Sequence, residues 1–177
     1  EALQHCLSDG NGLVEFPRGD YVISKSLEID LAKRSRVAVK GTGGTAKLIM
    51  TGPGPALSLI ASHTGSAEPS TFKPEEWANE RMPTVSEIEI EGRHPEADGI
   101  LITGVMQPTL SGVLIRNVRT GVYVTKRARN ILISHCHIYH NTGIGVHLDK
   151  VNLHQINIIG CHISYNRLGG IRVENSE

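Results

Sequence analysis

The sequence lacks a surplus of charge, a long apolar run and an even set of cysteines. Its 18 Lys and Arg balance 18 Asp and Glu, so net charge predicts neither nucleic acid nor another strongly anionic molecule as a general partner. No apolar run approaches the roughly 18 residues that a membrane span needs, which predicts no membrane partner. The three cysteines do not form an even disulfide set. With 177 residues, the chain suits a single domain spanning residues 1–177.

One short pattern is repeated three times between Val113 and Val173. Each copy has an apolar-x-apolar strand, a bend, a second short alternating strand and a third strand that begins with Gly. Looser copies precede them around Val37 and Ile88. The third strands align in a column whose members are spaced by 22, 22 and 27 residues: Ile100, Val122, Ile144 and Ile171. Periods in this range are typical of a solenoid.

The type of solenoid follows from the strand signal. Each coil alternates Ile, Val and Leu with other residues over runs of three to five positions, with no helical stretch between them. Three short strands per coil, stacked about 4.8 Å apart, predict an all-β parallel β-helix, and chain-handedness rules favour the right-handed form. Residues 1–8 carry Leu3, Cys6 and Leu7 at helical spacing, which predicts an N-terminal capping helix. Residues 61–84 interrupt the period as an inserted loop.

The repeat also assigns roles to bends and stacked positions. We expect one column of left-handed bends at Gly41, Gly92, Asn117, His135 and Gly160. Cys136 and Cys161 occupy equivalent inward positions, which predicts a ladder of buried thiols, with a disulfide between coils as the alternative. Asn141 and Asn166 are equivalent as well, and we expect their amides to satisfy turn backbone groups.

The C-terminal segment 174–177 follows directly on the strand from Ile171 to Val173. An uncovered sheet edge invites another strand. We therefore expect either that more coils continue the native protein or that another chain covers this end, for instance by self-association.

The segment 4–29 resembles the entry of the pectate-lyase-like, or pectin-lyase-like, right-handed β-helix superfamily, and together with the coil repeats the resemblance covers most of the chain. The matching residues are Gln4, Val14, Phe16, Pro17, Gly19, Tyr21, Ile23, Leu27 and Ile29. The superfamily contains pectate-lyase-type proteins, polysaccharide hydrolases, uronan epimerases and phage tailspikes, so the resemblance is specific for fold and unspecific for reaction. It implies a polysaccharide as partner. An extracellular or cell-envelope location is expected, although the chain shows no signal peptide.

The resemblance also implies that substrate binds along the third strands. Alternation then predicts two outward rows, the first with Leu101, Tyr123, Gly145 and Arg172, the second with Thr103, Thr125, His147 and Glu174. We assign catalytic roles to Tyr123, His147, Arg172 and Asp149, and substrate binding to Trp77, Lys126 and Arg127. The chemistry expected is removal of the C5 proton of a uronic acid followed by β-elimination or epimerisation. His147 would be the base, Tyr123 the donor, and Arg172 or Arg127 the neutralising cation.

Several alternatives stay open at this point. A hydrolase would need two carboxyls about 5 to 10 Å apart, and Asp149 with Glu174 or Asp98 would supply them. Asp98-Gly-Ile resembles a turn of polygalacturonase-like hydrolases, but the other motifs of that family are absent. Phe72 and Trp77 either form a platform for a sugar or pin the loop. Non-catalytic glycan binding or a purely structural role is a further interpretation.

Metal binding is a weaker interpretation of the acidic and histidine residues. Glu87, Glu89 and Glu91 line one strand face, which would hold Ca²⁺ with added oxygen ligands or form a solvated outer face. His135, His137 and His140 are close in sequence but do not converge as zinc ligands should. His137 and His162 are expected to stack as a surface ladder. We therefore assign no metal ligand, and Ca²⁺ is the one cofactor that the sequence leaves open.

Overall fold

The computed structural model describes residues 1–9 and 12–177. Within these ranges the chain forms three parallel sheets of six strands each. Successive strands enter sheet A, then sheet B, then sheet C, and each such set of three makes one coil of a parallel β-helix. The prediction of an all-β solenoid with three strands per coil is therefore confirmed.

Each sheet receives one strand from every coil. Sheet A contains β1 (Leu13–Phe16), β4 (Ala38–Gly41), β7 (Thr84–Ser86), β10 (Thr109–Ser111), β13 (Leu132–Ser134) and β16 (Asn157–Ile159). Sheet B contains β2 (Gly19–Ile23), β5 (Ala46–Met50), β8 (Ile88–Gly92), β11 (Leu114–Arg116), β14 (His137–Tyr139) and β17 (His162–Ser164). Sheet C contains β3 (Leu27–Asp30), β6 (Gly54–Ile60), β9 (Ala97–Thr103), β12 (Val122–Thr125), β15 (Ile144–Asp149) and β18 (Gly169–Glu174).

The core is a column of aliphatic side chains inside the coils. Because side chains alternate along a strand, every second position points inward. These inward positions mostly carry Ile, Val or Leu, which stack on their equivalents in the neighbouring coils. Val122, for example, pairs with Ile100 on one side and Val146 on the other, and all three are buried. Each such side chain is worth about 1.5–3 kcal/mol when fully removed from water, so the regular repeat is also the main source of stability.

A short helix covers the N-terminal end of the stack. Helix α1 (Ala2–Asp9) packs beside β3. The side-chain amide of Gln4 donates to the carbonyl oxygen of Glu28 and accepts from its N–H, both over 2.8 Å. Gln4 thus pairs with backbone groups of the outermost strand of sheet C, as an edge requires. The predicted N-terminal cap is confirmed.

The left-handed bends form several columns, not the one predicted. Between sheets A and B they are Glu87, Gly112, His135 and Gly160, and between sheets B and C they are Asn117, His140 and Tyr165. The prediction was correct for Asn117, His135 and Gly160 but wrong for Gly41 and Gly92, whose φ is not left-handed. Glycine is needed at Gly41 for a different reason, since an added Cβ would lie 2.2 Å from the carbonyl oxygen of Glu87.

The register of sheet C differs by two residues from the predicted alignment of β15. Val122 pairs with Val146, not with Ile144, and Val146 pairs with Ile171. Ile144 still faces inward, because a shift of two residues preserves the alternation. On the outward face of sheet C, this shift places His147 in the first outward row at the position predicted for Gly145.

The inserted loop is held together by buried polar and ring contacts within itself, and the guanidinium of Arg129 joins it to the β-helix, 4.9 Å from the centroid of the Phe72 ring. Residues 61–83 connect β6 to β7 and contain a 3₁₀ helix (Pro69–Thr71) and α3 (Pro74–Asn79), which packs against α2 (Leu31–Arg34). Ser62 donates to Glu80 over 2.8 Å, and His63 lies 3.2 Å from Glu76. Phe72 is buried, with its ring stacked 3.7 Å from that of His63. Phe72 therefore pins the loop.

Two predicted internal ladders are present. Asn141 accepts from the N–H of Val118 and donates to Asn166 over 2.8 Å. Cys136 is buried beneath the half-buried Cys161, and the N–H of Cys136 lies 3.4 Å from the sulfur of Cys161. All three cysteines are free thiols in the described chain, so the thiol ladder is confirmed and the alternative disulfide is wrong.

Candidate functional site

The outward face of sheet C gathers three of the four predicted catalytic residues into one stack. Tyr123, His147 and Arg172 are direct neighbours on β12, β15 and β18, since His147 pairs with both of the others in register. The rings of Tyr123 and His147 lie 5.0 Å apart between centroids. In-register parallel strands stand about 4.8 Å apart, so the backbone holds a phenol, an imidazole and a guanidinium at regular intervals along one face.

Asp149, the fourth predicted catalytic residue, is joined to this stack through Tyr123. The hydroxyl of Tyr123 donates to Oδ2 of Asp149 over 3.0 Å, and Asn175 donates to Oδ1 over 2.8 Å. The hydrogen bond from Asn175 is the largest cause that lowers the pKa of Asp149, and that from Tyr123 acts in the same direction. Burial, followed by the carboxylate of Asp149, raises the pKa of Tyr123. At neutral pH the pair is therefore a phenol bonded to a carboxylate.

His147 is oriented by a second carboxylate. Its Nε2 lies 2.7 Å from Oε1 of Glu174 on the neighbouring strand. An ionised carboxylate only accepts hydrogen bonds, which places a proton on Nε2 and leaves Nδ1 as the atom that can take another. A base oriented by a carboxylate is a recurrent arrangement in proton-transfer sites.

Arg172 and Lys126 are the exposed cations near this stack. Within residues 1–9 and 12–177, no carboxylate forms an ion pair with either side chain. Lys126 directly follows β12 in a left-handed bend, and Lys150 occupies the corresponding bend after β15. These cations leave the edge of sheet C able to attract an anionic group.

Arg127 and Trp77, two of the residues predicted to bind substrate, make their contacts elsewhere than with the stacked catalytic residues. Arg127 donates to the carbonyl oxygen of Gly65 over 3.1 Å and forms an ion pair with Glu177, so its described contacts anchor the inserted loop and the last residue. Trp77 lies in α3, half-buried against Phe72 at 5.3 Å. No ring contact or hydrogen bond in the described chain joins Trp77 to Tyr123 or His147. Substrate binding by these two residues stays a prediction.

Other carboxylates considered for hydrolysis or for Ca²⁺ binding are paired with cationic side chains of the protein itself. Asp98 accepts two hydrogen bonds from Arg119, of 3.0 and 2.7 Å, and one from the N–H of Thr120. Glu89 and Glu91 share the guanidinium of Arg116, at 2.8 Å each. The acidic strand face is therefore a network of ion pairs and not an open cation site.

Lys47 and Arg93 complete this network. Lys47 lies 3.7 Å from Glu89 and 3.4 Å from Glu91, while Arg93 donates to Glu91 over 2.9 Å. Burial would raise the pKa of Glu91, but the bond from Arg93 and the charge of Arg116 outweigh it and lower that pKa. No group of three or more His, Cys, Asp or Glu suited to a metal ion occurs among the described residues.

Sequence reasoning missed two features of the site. The first is Asn175 as a hydrogen-bond donor to Asp149, and the second is the position of His147 directly beside Arg172. The sequence did carry a signal for the second. Asn141 and Asn166 are equivalent and 25 residues apart, and the same offset carried forward brings His147 onto Arg172. Asn175 occupies the left-handed bend after the last strand that Lys126 and Lys150 occupy in the earlier coils, and those lysines give no signal for an amide that donates to Asp149.

Comparison with known proteins defines the class to which this fold belongs. Residues 76–177, more than half of the chain, match the family model described as right handed beta helix region. The chain belongs to this family, which confirms the predicted handedness. It is also similar to a solved structure described as Geobacillus virus E2 ORF18, with a TM-score of 0.60 and 15% sequence identity.

That similarity covers 90% of this chain and 38% of the viral one, so the chain spans well under half of the viral protein's length. At this level of identity the likeness shows the fold alone. No curated protein matches the sequence. None of the helices among the described residues is both long enough and apolar enough to cross a membrane.

Proposed function

We propose that this protein is carbohydrate-active and acts on an acidic polysaccharide by lyase or epimerase chemistry at the outward face of sheet C. The observation that carries the proposal is the in-register stack of Tyr123, His147 and Arg172. It supplies a donor, a base and a cation, which are the three groups needed to remove a proton next to a sugar carboxylate. The resemblance to a superfamily of polysaccharide-processing β-helices supports the choice of substrate and an extracellular or cell-envelope location.

The geometry suggests a role for each group. The guanidinium of Arg172 would pair with the uronate carboxylate. Nδ1 of His147 would take the C5 proton while Glu174 holds Nε2–H, 2.7 Å away. The electron pair moves into the carboxylate, where the positive charge stabilises it. In elimination the C4–O4 bond breaks, a C4=C5 double bond forms and Tyr123 protonates O4. In epimerisation a proton returns to the opposite face of C5.

Hydrolysis is less well supported. A hydrolase needs one of two carboxyl groups to remain protonated as the general acid. The pKa of Asp149 is lowered, first by Asn175, so this residue is ionised at neutral pH. Glu174 is bonded to His147 and Asp98 to Arg119, which leaves neither free to serve as the second carboxyl without rearrangement.

The test is a parallel assay of unsaturated uronate, by ultraviolet absorbance, and of new reducing ends on pectate, alginate and glycosaminoglycans, with and without Ca²⁺. Absorbance that disappears in His147→Ala and Tyr123→Phe but persists in the surface variant Ser164→Ala would support a lyase at this face. Unchanged absorbance in those variants would overturn the assignment. Reducing ends without absorbance would indicate a hydrolase. If both assays are negative, analysis of uronate composition tests for epimerisation, and a negative result there favours non-catalytic glycan binding or a structural role.

A further inference from the structure

A second surface, on sheet A, is built differently from the proposed acidic-substrate face. Just before β7, β10, β13 and β16, one residue per coil adopts a left-handed conformation, with φ between 52° and 59°. These residues form what we call the amide column: Met82, Gln107, Asn130 and Gln155. Beside it runs the first outward row of sheet A, in which Thr109 pairs with Leu132 and Leu132 with Asn157. Together they line an open groove of about 530 Å³.

The polar groups of this groove are partly fixed in orientation. Asn130 accepts from Nε of the buried Arg129 over 2.7 Å and donates to Oε1 of Gln155 over 2.9 Å. The amino group of Gln155 therefore remains available as a donor. Gln107 and the hydroxyl of Thr109 have no side-chain hydrogen bond to another group in the described parts of the chain. The groove thus presents side-chain donors and acceptors that no other group in the described chain uses.

Among the described residues, no charged side chain lines the groove, in contrast with sheets B and C. Its apolar contributions come from Leu132 and from Met82, which is 63% exposed. A ligand for this surface must offer hydroxyl or carbonyl groups at its edges and small apolar faces between them, with no net charge. Neutral sugars have this character.

The surface does not suit a polypeptide strand. Strand addition needs a free sheet edge, whereas three of the four strands beside the column, β7, β10 and β13, have a strand on both sides and only β16 ends the sheet. The four members of the amide column span three coil steps, or about 14 Å, which is the length of a short oligosaccharide. We therefore infer that the amide column and the adjoining row of sheet A bind a neutral oligosaccharide, independently of the chemistry proposed for sheet C.

The chain itself supplies a matched substitution. Met82 occupies the same column with φ 59°, close to the 56° of Gln107 and the 54° of Gln155. Gln107→Met and Gln155→Met therefore remove the amides while keeping an unbranched side chain that this bend already accepts. Thr109→Val removes the hydroxyl at constant shape, and Ser164→Ala, on the outward face of sheet B, is the control.

The experiment is isothermal titration calorimetry of the 177-residue chain with hexasaccharides of cellulose, mannan and xylan, and with hexagalacturonate. We expect at least one neutral hexasaccharide to bind, the Gln107→Met/Gln155→Met variant to bind it at least tenfold more weakly, and Ser164→Ala and His147→Ala to bind it as the native chain does. The inference is overturned if no neutral hexasaccharide binds more tightly than about 1 mM, or if the double variant retains native affinity. Because His147→Ala tests only the sheet C face, failure of one proposal is distinguishable from failure of the other.

Discussion

The imidazole of His147 and the carboxylate of Glu174 are joined over 2.7 Å by a diagonal step from one coil to the next. Glu174 pairs in register with Asp149, two residues beyond His147 on the same strand. Tyr123 reaches Asp149 by the same kind of step, over 3.0 Å. The repeat therefore produces two donor–carboxylate pairs side by side. Arg172, the next residue in the row, has no such partner within the described chain.

We predict that Glu174 is a positioning residue for His147. Glu174→Ala should lower kcat on the acidic polysaccharide by about tenfold to a hundredfold with little change in KM, because the base loses its orientation while the substrate contacts remain. Glu174→Gln should restore part of the activity, since its amide oxygen can still accept from Nε2.

A nitrogen-15 spectrum of the imidazole provides a readout that is independent of activity. The native protein and Glu174→Gln should show the Nε2–H tautomer, and Glu174→Ala a mixture of tautomers. An unchanged tautomer in Glu174→Ala, together with native kcat, would mean that the 2.7 Å contact has no positioning role.

Asp149 should make stability depend on pH in the acidic range. Its pKa is lowered in the folded state from the ordinary 3.8, so its contribution is fully present above that value and is lost as pH falls through the folded pKa. We expect Asp149→Asn to destabilise the protein at neutral pH by up to about 1 kcal/mol, because the residue is only half-buried. The difference should vanish at low pH.

Urea denaturation of the native protein and of Asp149→Asn across this range measures the effect. Tyr123→Phe, which removes one of the two hydrogen bonds to the carboxylate, should show part of the same dependence. A destabilisation by Asp149→Asn that persists unchanged below pH 3.8 would contradict the assignment.

The thiol ladder predicts unequal reactivity among the three cysteines. Burial raises the pKa of Cys136 to about 11, whereas Cys6 is exposed and Cys161 is half-buried on the last coil. Since the thiolate is the reactive form, a disulfide reagent at neutral pH should label Cys6 rapidly and Cys136 only after unfolding. Mass spectrometry of the labelled peptides identifies the sites. Labelling of Cys136 as fast as Cys6 in the folded protein would show that the core opens at this coil.

The repeat made the fold predictable, because the inward positions of every coil carry the same aliphatic signal. The register of β15 was not fixed by that signal, since Ile144 and Val146 both face inward and a shift of two residues leaves the alternation intact. The sequence therefore predicts His147 in the second outward row, whereas the structure places it in the first. Only a position that occurs once per coil, such as Asn141 and its equivalent Asn166, could have fixed the register.

Contacts between coils and the inserted loop were beyond prediction for another reason. Arg127 carries a charge and follows a strand of the substrate face, so the sequence predicted a role in substrate binding. The structure shows its guanidinium on the carbonyl oxygen of Gly65, 62 residues away, a contact that the sequence did not predict. Such pairs depend on how an irregular loop folds back, and the loop has no periodic pattern from which its path could be derived.

The asparagine ladder should contribute measurably to stability. Asn141 is buried, accepts from the N–H of Val118 over 3.1 Å and donates to Asn166. Asn141→Ala would leave that buried N–H without a partner, which costs about 1–3 kcal/mol. Asn166→Ala on the last coil is the matched control and should cost less, because water can reach the groups it leaves. Equal losses of unfolding free energy in the two variants would argue against this explanation.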